Sequence, residues 1–177
     1  MKLKNSWEKK GEYLNSVNSF YHQEKKRKME KRQKLCYLIH FFNLNLDSLN
    51  NRIIFQKSIY LLQQLGLDLG YKFNWYHYGP YSPELASDGF GIIREETIKP
   101  ERIQLDKNIL KQFEELIKNN AKRSVWFELL ASIIFLKKEK HLRKEELFGK
   151  LKKHQPYLGS REEFENAWKK LEEFSLV

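Results

Sequence analysis

The chain has 177 residues, 41% of them apolar, with 12 Phe, 9 Tyr and 4 Trp, which suits one ordinary domain with a well-filled core. Only 8 Gly and 4 Pro argue against a loop-rich sandwich or a disordered chain. Mean hydropathy is −0.71, and no apolar run approaches the roughly 20 residues of a membrane span, so no partnership with a membrane is expected. The net charge of +10 is unevenly placed: up to Lys34 eleven basic residues face four acidic ones, a net +7, leaving +3 for the rest. This reads as a basic, partly helical arm over residues 1–34 and a nearly balanced domain over 35–177. The first residues carry charges with no apolar stretch behind them, and Cys36 is alone, so a cytoplasmic protein without a signal peptide or disulfide is expected.

In the arm, Trp7, Tyr13, Leu14, Val17, Phe20 and Tyr21 recur at helical spacing, followed by an almost purely charged stretch over residues 24–34. Helix propensity carries that stretch on into Leu35, Cys36, Leu38 and Ile39, where the apolar density becomes that of a core. Residues 43–51 read as a turn containing a helix start. Residues 52–65 form a helix apolar on all but a narrow face at Gln56, Lys57, Gln63 and Gln64, as expected of a central helix, with Gly66 as its natural stop.

Tyr71, Phe73 and Trp75 then alternate with Lys72 and Asn74, the period of a half-buried strand, which Gly79 and Pro80 are expected to stop. Ser82, Pro83 and Glu84 signal a helix start, and Gly89 and Gly91 a short helix. Residues 91–94 could be a further short strand before a polar turn at 95–101. Beyond it, three apolar-periodic helices are expected around Ile109–Ile117, Val125–Leu136 and Leu142–Leu151. Ser160 caps a last helix whose inner face is Phe164, Ala167, Trp168 and Leu171.

The run Gln56, Lys57, Ser58, Ile59, Tyr60, Leu61, Leu62, then Leu69, Gly70, Tyr71, Lys72, Phe73, then Tyr78, Gly79, Pro80, Tyr81, Ser82, Pro83, Glu84, Leu85 resembles the YwgA-like proteins of bacteria and archaea. It is similar, more loosely, to the Panacea domain of antitoxins. The resemblance to the YwgA-like pattern continues through Trp126 to Ala131 and the last eleven residues, covering about 35–177; the arm departs from it. It implies a mainly α domain with a small β-hairpin, winged-helix-like in its first half. It brings no catalytic residues, and it points to antitoxins or adaptors that act through protein contacts.

The residues themselves carry little chemistry. Cys36 and His40 are spaced i, i+4, but a structural zinc needs four ligands, so two ordinary core residues are the simpler reading and no metal is expected. His77 and Ser82 have no acid placed to orient the histidine, and no nucleophile elbow surrounds the serine. No phosphate loop, carboxylate dyad or dinucleotide fingerprint occurs. The chain is therefore expected to be non-enzymatic and to need no cofactor, with no small-molecule substrate evident.

Two surfaces remain. Tyr76, Tyr78 and Tyr81 crowd a turn and, with Trp7 and Tyr13, are the candidate protein-binding residues. The alternative is that the arm packs on its own domain and hides both. Lys25, Lys26, Arg27, Lys28, Lys31, Arg32 and Lys34 are candidates for contact with nucleic acid. The leading expectation is a regulatory or adaptor protein of antitoxin or phage-defence type that binds a protein, either a toxin or a defence effector. The alternative is a nucleic-acid-binding regulator using the arm and a winged-helix-like core. The acidic Glu84 and Asp88 in the helix after the hairpin weigh against standard major-groove readout.

Overall fold

The structure, a computed structural model, describes residues 4–95, 105–118, 120 and 123–177, with backbone only for 4–11. Seven helices and one two-stranded sheet make up the described residues, so the chain is mainly α. None of these helices is long and apolar enough to cross a membrane.

Helix α1 (Lys4–Phe41) has 38 residues, about 57 Å at 1.5 Å per residue. Strong helix formers fill its charged stretch, and it passes from residue 34 to 35 without a break. It stops where Asn43 turns left-handed at φ 49° and the Leu44 N–H donates back to the Ile39 carbonyl. Residues 12–30 are exposed and 31–34 half-buried, whereas Leu35, Cys36, Leu38 and Ile39 are core. The apolar stripe of the arm is not folded back on the domain: Tyr13, Leu14, Val17, Phe20 and Tyr21 are 45–68% exposed.

Helix α2 (Leu49–Gln64) starts at Ser48, whose hydroxyl accepts from the Asn51 N–H. Strands β1 (Asn74–Tyr76) and β2 (Gly79–Tyr81) pair antiparallel, Asn74 opposite Tyr81, Trp75 opposite Pro80 and Tyr76 opposite Gly79. The alternation expected from Tyr71 onward is present in burial, with Lys72 and Asn74 exposed between more buried aromatics, but only residues 74–76 join the ladder. Gly79 and Pro80 do not end the sheet; they form its second strand. A sheet of two strands has only edges, and there a proline without an N–H is tolerated.

Helix α3 (Pro83–Arg94) begins as expected, with Ser82 accepting from the Leu85 N–H and Pro83 at the first position. It then runs on through Gly89 and Gly91, so residues 91–94 are helical and not a strand. Tertiary packing decides this. A Cβ at Gly89 would lie 2.7 Å from Cζ of Phe55 and 3.3 Å from a Leu46 methyl, so the glycine lets α3 press against α2. Of the expected polar turn at 95–101, all but Glu95 lies outside the described residues.

Helix α4 (Lys107–Ile117) is capped by Asp106 and turns Leu110, Phe113 and Leu116 inward. Helix α5 (Ser124–Lys140) is buried on every side over residues 127–136 and packs along α2, so the centre of the domain is a pair of helices. Helix α6 (Lys144–His154) and helix α7 (Arg161–Glu173) close over α5, the latter held at its start by a Ser160–Glu163 capping box.

α1 meets α3 at a polar clasp. Lys31 Nζ lies 3.7 Å from the centre of the Tyr71 ring and 2.7 Å from Glu84 Oε1, and Arg32 pairs with Glu95 at 3.1 Å. The Tyr71 hydroxyl donates to Asp88 at 2.9 Å, so both acids of early α3 face this clasp.

Candidate functional site

Three polar residues interrupt the apolar face of α2, and all are buried. Gln56 exchanges two hydrogen bonds with the backbone of Ser82, each 3.0 Å, as a neighbouring strand would. One residue on, Lys57 is 2% exposed and donates from Nζ to the Pro80 carbonyl at 2.6 Å. Ser58 is buried with no partner for its hydroxyl among the described residues. Two turns further, Gln63 repeats the device with the backbone of Tyr71. The central helix therefore uses its side chains to hold a segment too short to hold itself.

Glu128 of α5, 1% exposed, interacts electrostatically with Lys57. Its Oε1 accepts from Tyr157 at 2.6 Å and from Gln155 at 2.9 Å, and the Gln155 amide also donates to the His77 carbonyl at 3.1 Å. Burial pulls Lys57 down to about 7, with the Glu128 charge opposing. Burial likewise pushes Glu128 up, against the Tyr157 hydrogen bond and the Lys57 charge. Helix α2, the hairpin, α5 and the α6–α7 connection thus meet in one buried ionisable network.

The network borders a cavity of about 220 Å³ between α2, the hairpin and α3. Lys57, Gln56 and Gly79 line it, and so do Tyr76, Tyr78 and Tyr81. Gly79 sits at φ +76°, and a Cβ there would run into the Ser132 hydroxyl of α5. The chain can turn beside Lys57 only with a residue that has no side chain. The Tyr76 and Tyr81 rings lie 5.4 Å apart, and Tyr76 and Tyr78 are exposed enough to form the rim. Apart from Lys57, Arg52 and Gln56, whose amide is already paired with Ser82, the lining side chains are aromatic or aliphatic, and an ammonium in such a wall can hold an anionic group.

The three hairpin tyrosines are thus gathered at one mouth. Tyr13 is not with them: it lies on the exposed part of α1, eighteen residues, about 27 Å along the helix, before Lys31, where α1 meets α3. The side chain of Trp7 is outside the described residues. Of the cations, Lys25, Lys26, Arg27 and Lys28 are exposed, Lys34 is half-buried, and Lys31 and Arg32 are engaged in the clasp. Tyr21, Glu24, Lys25, Lys28 and Lys31 border one shallow groove with Glu84. Cys36 is buried, which raises its thiol, and His40 Nδ1 lies 2.8 Å from the Cys36 carbonyl oxygen. No group of three metal-ligating side chains is assembled among the described residues.

The sequence shows Gln56 and Lys57 as a polar face and as part of the family resemblance, without a functional role, and gives Glu128 and Gln155 none. The available signal was two polar residues set in a helix otherwise too apolar to face water. Comparison of the chain with family models, curated proteins and solved structures found no match.

Proposed function

We propose that the protein is a non-enzymatic adaptor, of antitoxin or defence type, that acts in the cytoplasm by binding a protein partner along the free part of α1. One observation carries this reading: Tyr13, Leu14, Val17, Phe20 and Tyr21 form an exposed apolar stripe on a helix that leaves its own domain. Exposed stripes of this spacing fit helix-on-helix docking. The cations at residues 25–28 lie on the same rod, so an acidic helix of another protein complements it. A second copy laid parallel would set like charges side by side. The loose resemblance to antitoxin domains of the helix carrying Gln56 and Tyr60, and of the aromatic stretch ending at Gly79 and Pro80, supports the class of partner.

The test is reconstitution. Partners captured from the host with the full chain are purified and titrated against wild type and against Leu14→Glu/Phe20→Glu. A defined complex that the double variant loses, with its melting unchanged because both positions are exposed, supports the reading. Failure to reconstitute any complex, or its retention by the variant, overturns it.

A second reading rests on Lys25, Lys26, Arg27 and Lys28, which are all exposed; Lys25, Arg27 and Lys28 line one groove with Tyr21, and the four fit a phosphate backbone. Substituting these four cations by Ala should abolish low-salt binding to a labelled duplex or single strand. Unchanged binding removes this alternative.

A further inference from the structure

We propose that the cavity between α2, the hairpin and α3 is a binding site for a small apolar carboxylic acid, held at its inner end by the Lys57 ammonium. This goes beyond the adaptor reading and does not depend on it.

Lys57 is 2% exposed and has three N–H groups, but among the described residues it fills one acceptor, the Pro80 carbonyl at 2.6 Å. A buried ammonium with donors to spare, bordering a cavity, calls for an acceptor from outside the chain. The cavity walls say what the rest of that ligand must be. Leu49, Ile53 and Phe90 line the cavity together with Tyr76, Tyr78 and Tyr81, so a hydrocarbon or aromatic body replaces water there with gain. At about 220 Å³ the space is smaller than the roughly 300–1,000 Å³ of sites for drug-sized molecules, which limits the body to a short chain or a single ring.

The charge follows from the network. Glu128 already acts on Lys57 from the α5 side, so the site lacks the positive charge to bury a dianion such as a phosphate monoester. A monovalent carboxylate asks least of it. The depressed value of Lys57, about 7, describes the cavity as it stands; a bound carboxylate favours the ammonium and raises it. An amine ligand would oppose the ammonium and leave its N–H groups unfilled. The Arg52 side chain, exposed at the rim, adds attraction for anions on the way in.

The experiment titrates the full-length protein with hexanoate, octanoate and 4-phenylbutyrate, and with octan-1-ol and octylamine as uncharged and cationic counterparts, by calorimetry and tyrosine and tryptophan fluorescence. At least one carboxylate should bind, and bind roughly ten- to a hundredfold more tightly than octan-1-ol; octylamine should not bind. Lys57→Gln keeps a donor for Pro80 but no charge, and Lys57→Met removes both. Each should reduce carboxylate binding to the level of the alcohol and leave the alcohol unchanged. Ala86→Phe, which fills the cavity from α3, should weaken both ligands. If no carboxylate binds at millimolar concentration, if acid and alcohol bind alike, or if Lys57→Gln binds the acid as wild type does, the proposal is wrong. Should Lys57→Met fail to fold, Lys57→Gln and Ala86→Phe still decide it.

Discussion

Lys57 of α2 donates from its Nζ to the carbonyl oxygen of Pro80 at 2.6 Å, so the central helix bonds to a strand residue that has no N–H of its own to give. With Gln56 clamping Ser82, the helix holds the middle of β2 and the residue that follows it. This arrangement costs a buried charge, and that cost is measurable.

The buried charge makes stability depend on pH. Lys57 lies at about 7 in the fold against an ordinary value of 10.5, so between these values the unfolded chain binds the extra proton. Stability therefore rises with pH through this window and is insensitive to Lys57 below it. Glu128, pushed up from 4.5, acts lower: its part falls as pH rises from about 4.5 through its raised value. Urea unfolding at pH 7, 8 and 9, below the titration of free tyrosines, should show a Lys57 contribution of at most about 2–3 kcal/mol. Lys57→Met should flatten it. An equal rise in the variant would assign it to other groups.

The Gly79 turn is strained for any other residue. With φ at +76° and Ser132 in the way, Gly79→Ala should cost about 2–4 kcal/mol. Ser132 is buried and its hydroxyl has no partner among the described residues, so Ser132→Ala alone should be neutral or slightly stabilising. The double variant should recover about 1 kcal/mol or more of the Gly79→Ala loss. Strict additivity in thermal melts would mean that the two sites do not touch.

Two helical glycines should respond with opposite sign. Gly149 in α6 has open space around it, so Gly149→Ala should stabilise by roughly 0.5–1 kcal/mol through helix propensity. Gly89 in α3 gains the same propensity, but its Cβ would push into Phe55, and the variant should lose about 1–3 kcal/mol net. Denaturant midpoints of the two variants compare them directly.

The clasp separates structural cations from free ones. Lys31 is mostly buried between Tyr71 and Glu84, whereas Lys28, one turn earlier, is exposed. Lys31→Ala should cost about 1–2 kcal/mol, and Lys28→Ala less than about 0.5 kcal/mol. The reverse order in thermal melts would mean that α1 does not rest on α3 in solution.

Much of the fold could be read locally. The starts at Ser82 and Ser160, the apolar faces of α4 and α7, and the charge concentrated before Leu35 follow from residues within one or two turns of each other. Capping and periodicity are short-range, so they are legible without a partner in view. What the sequence left undecided depends on residues far apart. Gly89 looks like a helix stop until Phe55 is placed against it, and Pro80 looks like a strand stop until Trp75 lies opposite it. Lys57 and Glu128 each look like one charge on an apolar helix. Only the packing of α2 on α5 buries them around the hairpin, and Gln155 and Tyr157 join them from the far end of the chain. The free stretch of α1 was also a tertiary outcome. Its stripe could pack inward or outward equally well by pattern, and the domain's core closes over Leu35 and Leu38 without it.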